Sequence, residues 1–153
     1  MTNKKIIWLT GQPGSGKTTL ANLLKNHFSK NNNDETVVIV DGDDLRNITV
    51  NKDYSKKGRE NNIKTAQKIA KFLYNKDFIT IVALVAPYKE LRESFKSSIP
   101  VFEVFLHTND IRGREHFFAK DYEPPSIDYL ALDTGKYDES ECINLILAGL
   151  SES

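Results

Sequence analysis

Gly11-Gln12-Pro13-Gly14-Ser15-Gly16-Lys17-Thr18 decides the reading of this chain. The stretch has the spacing G-x-x-x-x-G-K-[ST], in which glycines let the backbone turn so that successive N–H groups face one phosphate. A helix starting near Lys17 adds the positive end of its dipole. In such a loop Lys17 reaches the β- and γ-phosphates and the Thr18 hydroxyl binds Mg²⁺, so ATP and Mg²⁺ are the expected cofactors. Gly11, Pro13, Gly14, Ser15, Gly16, Lys17, Thr18 and Thr19 are the expected ATP-binding residues.

The flanks give the motif its context. Ile6 to Thr10 reads as a buried strand, and from Lys17 to about Ser29 the apolar Leu20, Leu23, Leu24 and Phe28 keep to one helix face. Further out, Thr36 to Val40, Ile79 to Val85, Val101 to Leu106 and Tyr129 to Leu132 read as strands. Helices are expected over Glu60 to Tyr74, Tyr88 to Phe95, Asn109 to Phe118 and Glu139 to Leu150, and a mobile polar loop over 51–58. Three of the strands are continuous apolar runs and strands alternate with helices. The expected fold is therefore a three-layer α/β/α P-loop domain with a five-stranded parallel sheet, one domain over 1–153. Ligands of such sheets bind beyond the carboxyl ends of the strands.

Bulk properties exclude several classes. Lys plus Arg and Asp plus Glu both number 21, so no basic excess points to nucleic acid. Cys142 is the single cysteine, which rules out an intrachain disulfide and a thiolate cluster; it is expected to be a buried residue of the last helix. No run approaches the roughly 20 apolar residues of a membrane span, and the N-terminal run is too short for a secretory signal. The expected setting is cytoplasmic, without a membrane partner. His27, His107 and His116 lack ligand-like spacing, and Trp8 is expected in the core.

Among P-loop proteins, a GTPase switch would need N-K-x-D after a strand. Asn51-Lys52-Asp53 and Asn75-Lys76-Asp77 lack the spacer. A motor-type ATPase uses an acidic residue after a later apolar strand, whereas Ile79 to Val85 runs into Ala86-Pro87-Tyr88. Asp41-Gly42-Asp43-Asp44-Leu45-Arg46 fits a kinase better. One carboxylate can orient an attacking hydroxyl or take its proton, a second can serve the Mg²⁺ shell, and an arginine can pair with an anionic group. Asp43 or Asp44 could also cap a helix through Arg46.

At this point the chain resembles the adenylyl-sulfate kinases. The resemblance is carried by GQPGSGKTT (11–19), DGDDLR (41–46), RENNI (59–63), VAPYKELR (85–92), FEVF (102–105) and YEPP (122–125), in that order. It implies transfer of the ATP γ-phosphate to the 3′-hydroxyl of adenylyl sulfate, with Lys17, Asp41 and Asp43 catalytic. Asp41 is implied as the carboxylate nearest that hydroxyl and Asp43 as the one beside metal and phosphate. Arg46, Arg59 and Asn62 resemble the substrate-binding set, Pro87, Tyr88 and Lys89 the loop lining its pocket, and Tyr54 with Phe117 or Phe118 a pair of aromatics around the base. The chain departs from the pattern in Ala86, where the family has Ser, in Lys89, where it has Arg, and in a shortened lid at about 109–126. Ala86 leaves direct in-line transfer as the mechanism. Arg112 or Arg114 of the lid would meet ATP, and Arg114 is the expected ATP-binding residue. The resemblance also implies a possible homodimer. Other acceptors on the same scaffold are a cytidine diphosphoramidate or a polynucleotide 5′-hydroxyl, and a non-catalytic nucleotide-binding module is the alternative outside enzymes.

Overall fold

The structure is a computed structural model describing residues 5–31, 36–109 and 119–152. Its elements follow in the order β1 (Ile6–Thr10), α1 (Lys17–Asn31), β2 (Val37–Asp41), α2 (Gly42–Thr49), α3 (Lys56–Asn75), β3 (Ile79–Ala83), α4 (Lys89–Ser98), β4 (Val101–His107), β5 (Leu130–Asp133) and α5 (Glu139–Ser151). The strands form one sheet in the order β2-β3-β1-β4-β5, and every pairing is parallel. The expected architecture is therefore observed.

Alternation along β1 builds the three layers. Ile7 and Leu9 point to one face, where they pack with Leu20 and Leu24 of α1 and Ile146 and Leu150 of α5. Ile6 and Trp8 point to the other, with Ile63, Ala66 and Ala70 of α3 and Phe95 of α4. Both sides of the strand are thus buried, which is why Ile6 to Leu9 are all apolar. Cys142 is buried on α5, and Trp8 is core, as expected.

Several boundaries differ from the sequence reading. β3 ends at Ala83, two residues early, and residues 84–88 form an irregular loop. α3 begins at Lys56, so the expected loop over 51–58 is helical in its last part. Its first turn, Lys56-Lys57-Gly58-Arg59, has no apolar periodicity to announce it; the Ser55 hydroxyl starts it by accepting from the Gly58 N–H. α2 is capped by Asp41, not by Asp43 or Asp44: the Asp41 carboxylate accepts from the Asp43 N–H. The helix expected over 109–118 lies almost wholly outside the described residues.

A strap of residues 119–123 ties the carboxyl ends of β1 and β3 together. Thr10 Oγ donates to the Val85 carbonyl at 2.7 Å, so the Tyr122 hydroxyl 2.8 Å away donates to Thr10. Tyr122 stacks on Phe105, 5.7 Å between ring centres. Burial pushes its phenol up to about 12. Beneath the strap, Arg92 of α4 and Glu103 of β4 form a buried ion pair at 3.1 Å, which Lys96 extends at 2.8 Å.

Two expectations follow. Val50 ends α2 in the left-handed region at φ 55°, a conformation that a β-branched residue resists, and its side chain is 74% exposed. Val50→Gly should raise stability by about 1 kcal/mol, seen as a melting rise of about 2–4 °C. For Tyr122, the folded phenol keeps its proton to about 12 while the unfolded one releases it near 10. The associated stability is complete below pH 10 and is lost as pH rises toward 12. Urea unfolding at pH 9 and 11.5 should show Tyr122→Phe losing about 2 kcal/mol less than the parent over that interval.

Candidate active site

The phosphate-binding loop lies where β1 passes into α1. Gly11 is required there: a Cβ would come within 2.3 Å of the Leu106 carbonyl oxygen of β4. Gly14 and Gly16 take positive φ values of 82° and 101°. Ser15 is buried, and its carbonyl accepts from the Thr134 hydroxyl at 2.8 Å, which braces the loop from the end of β5. Lys17 Nζ lies 2.9 Å from the carbonyl oxygens of both Gly11 and Gln12, so the ammonium is held over the loop.

From this loop a cleft of about 530 Å³ runs across the strand ends. Pro13, Gly14, Gly16, Lys17, Thr18 and Thr19 line one side. Asp41, Asp43, Arg46, Tyr54, Arg59 and Asn62 line the other, with residues 83–87 as its floor. Asp41 stands at the junction: its Oδ2 accepts from the Thr18 hydroxyl at 2.9 Å and its Oδ1 from the Asp43 N–H at 2.9 Å. Thr18 and two carboxylates form an all-oxygen donor set, which suits a hard cation completed by phosphate oxygens and water. No group of three His, Cys, Asp or Glu residues among the described residues could hold a metal ion by itself.

The far side of the cleft is built around Tyr54. The Arg46 guanidinium lies 4.0 Å from the centre of its ring and Arg59 lies 5.9 Å from it. Arg46 Nη1 also donates to the Asn51 and Asp53 carbonyls at 3.1 and 3.0 Å, and Arg59 Nε to the Tyr54 carbonyl at 2.9 Å. The two arginines thus hold residues 51–54 in shape while presenting positive charge to the cleft. Burial lowers the pKa of Arg46 from its ordinary value. Asn62, on α3, is 4% exposed, and its buried amide oxygen accepts no hydrogen bond. An orphaned acceptor in a polar cleft is a point where a ligand donor fits.

Other expected residues sit elsewhere. Tyr88 and Lys89 lie outside the cleft lining. Tyr88 is buried at the start of α4, where desolvation, reinforced by Asp121, pushes its phenol up to about 12. The Lys89 N–H donates to Glu123 Oε1 at 2.9 Å. Arg112, Arg114, Phe117 and Phe118 lie outside the described residues. Sequence reasoning missed Thr134 and Gln12. Thr134 follows a strand end, which was a usable signal. The Gln12 side chain pairs with both backbone groups of Ala119, 107 residues away, and nothing in the motif announces this.

The family model for adenylylsulphate kinase matches residues 3–116. The adenylyl-sulfate kinase of Bacillus licheniformis is 32% identical over 93% of this chain and 82% of its own. A probable bifunctional SAT/APS kinase 2 of Sorangium cellulosum is 31% identical over 96% of this chain, which spans only 28% of that longer protein. Among solved structures, the APS kinase of Mycobacterium tuberculosis in complex with AMPPNP and APS superposes with a TM-score of 0.81 at 23% identity, covering 100% of both chains, and shows the shared fold. With the phosphate-binding loop, the Asp41–Arg46 turn and the parallel sheet in place, this chain belongs to the adenylylsulphate kinase family.

Proposed function

We propose that this protein transfers the γ-phosphate of ATP to the 3′-hydroxyl of adenylyl sulfate, giving 3′-phosphoadenylyl sulfate and ADP. The observation that carries this reading is the single cleft joining a phosphate-binding loop to a cationic, aromatic pocket in a chain of this family. The small anionic nucleotide acceptor matches that pocket. Arg46 and Arg59 face its phosphosulfate, Tyr54 offers a ring to its base, and the Asn62 amide oxygen accepts a hydrogen bond from it.

On the donor side, the loop N–H groups and Lys17 neutralise charge on the phosphoryl group in an in-line transfer. Thr18 and Asp41 would hold Mg²⁺, which when bound supplies positive charge to the β- and γ-phosphate oxygens. The 2.9 Å contact between Asp41 and Thr18 favours Asp41 on this metal side. Both of its oxygens already accept hydrogen bonds. Asp43, two residues on and also in the cleft, is then the better group to orient the acceptor hydroxyl and take its proton. This exchanges the two roles that the family resemblance implies. No helix among the described residues is long and apolar enough to cross a membrane, and a cytoplasmic setting, where MgATP is abundant, completes the proposal.

ADP release from MgATP should be rapid with adenylyl sulfate and absent with a cytidine diphosphate derivative or a 5′-hydroxyl oligonucleotide. Turnover on either of those alone would move the function to another acceptor. Lys17→Ala should lower kcat by about a thousandfold; unchanged kcat would defeat the kinase reading. Asp41→Asn and Asp43→Asn should both lower kcat, but only Asp41→Asn should raise the Mg²⁺ concentration needed for half-maximal rate. A raised Mg²⁺ requirement in Asp43→Asn alone would restore the opposite assignment.

A further inference from the structure

The loop of residues 84–88, of which 84–87 line the cleft, belongs to no helix or strand. Ala86 within it takes a φ of 44°, unfavourable for a residue with a Cβ, and is buried. Such a conformation persists only where its surroundings impose it. Here they are identifiable. Arg92, itself buried, donates to the Ala86 carbonyl and to the Glu123 carbonyl. The Glu123 N–H donates to the Pro87 carbonyl at 2.8 Å, and the Glu123 carboxylate accepts from the Lys89 N–H at 2.9 Å. Glu123 therefore grips the loop on both sides of Tyr88.

The other end of the strap reaches the donor side. Gln12 is a residue of the phosphate-binding loop, yet it does not line the cleft. Its amide nitrogen donates to the Ala119 carbonyl at 2.8 Å and its amide oxygen accepts from the Ala119 N–H at 2.9 Å. Between these ends Tyr122 is fixed to Thr10, and Thr10 to Val85. None of residues 119–123 lines the cleft.

We propose that residues 119–123 are a positioning strap for the acceptor loop, in which Glu123 sets the conformation of residues 85–89 and Gln12 fastens the strap to the phosphate-binding loop. The inference rests on the functional reading above in one respect, that residues 85–87 face the acceptor. Its distinctive consequence is that a substitution in the phosphate-binding loop acts on the acceptor and not on ATP. Gln12 and Glu123 are positioning residues, acting through the loops they hold.

The test is steady-state kinetics of the full chain with MgATP and adenylyl sulfate, for Gln12→Ala, Glu123→Ala and Glu123→Gln. Gln12→Ala and Glu123→Ala should each raise the KM for the acceptor about tenfold, the size of one lost hydrogen-bonded contact. The KM for MgATP should stay within about twofold. Glu123→Gln keeps an acceptor oxygen toward Lys89 and should recover most of the loss. The double substitution should cost less than the product of the singles, because one strap is loosened either way. A Gln12→Ala variant whose KM for MgATP rises as much as that for the acceptor would overturn the proposal, as would an unchanged acceptor KM in both alanine variants. A parent enzyme inactive on adenylyl sulfate would fail the functional reading alone. The strap would then be judged by the same KM comparison on whichever acceptor is turned over. If none is, amide hydrogen exchange of residues 84–89 decides: faster exchange in both Gln12→Ala and Glu123→Ala, with MgADP affinity within about twofold, upholds the strap, and unchanged exchange overturns it.

Discussion

Gly11 passes so near the Leu106 carbonyl that no side chain fits between them, and the rest of the site depends on this approach. It lets β1 leave the sheet tightly against β4. Because β1 pairs with β3 on one side and β4 on the other, the chain emerges where the strand order changes direction. In open parallel sheets that is where a crevice forms. The phosphate-binding loop fills one wall of it, and the turn after β2 fills the other. A side chain at position 11 would push the loop away from β4 and disturb the seat of Lys17 and Thr18 together.

The acceptor wall is arranged differently. Its charged residues lie on α2 and the first turn of α3, joined through contacts among Arg46, Asn51, Asp53, Tyr54 and Arg59. Asp53 N and Ser55 N each bond to a side-chain oxygen two residues back. The pocket is thereby shaped before any ligand arrives, and less ordering is left for binding. The donor wall, in contrast, takes its rigidity from distant parts of the chain: Thr134 beneath Ser15 and Ala119 beside Gln12.

This difference explains what could be read from the sequence. The sheet was legible because strands covered on both faces are almost wholly apolar, as in Ile6–Leu9 and, with Thr80 as the one polar residue, Ile79–Ala83. The loop from Gly11 to Thr18 was legible because its residue types are dictated by backbone geometry. The start of α3 was not, because a capped polar turn has no hydrophobic period; Gly58, where a Cβ would come within 2.1 Å of the Asp53 carbonyl oxygen, was its hidden signature. Asp41 was recognised as chemically important, but its capping of α2 and its bond to Thr18 depend on the angle at which β2 meets α2. The side chains of Gln12, Tyr122 and Glu123 hydrogen-bond to partners 34 to 112 residues away, and local pattern carries no trace of such pairings.

The brace between Thr134 and Ser15 has a consequence for how the protein is made. The two residues are 119 positions apart. The phosphate-binding loop is therefore synthesised well before the hydroxyl that supports its centre. At a translation rate of about 5–20 residues per second, roughly 6–24 s separate the two. During that time β1 and α1 can form, while the loop between them lacks its support from β5. The nascent chain thus carries a recognisable nucleotide-binding sequence well before its nucleotide-binding loop has the brace that Thr134 supplies.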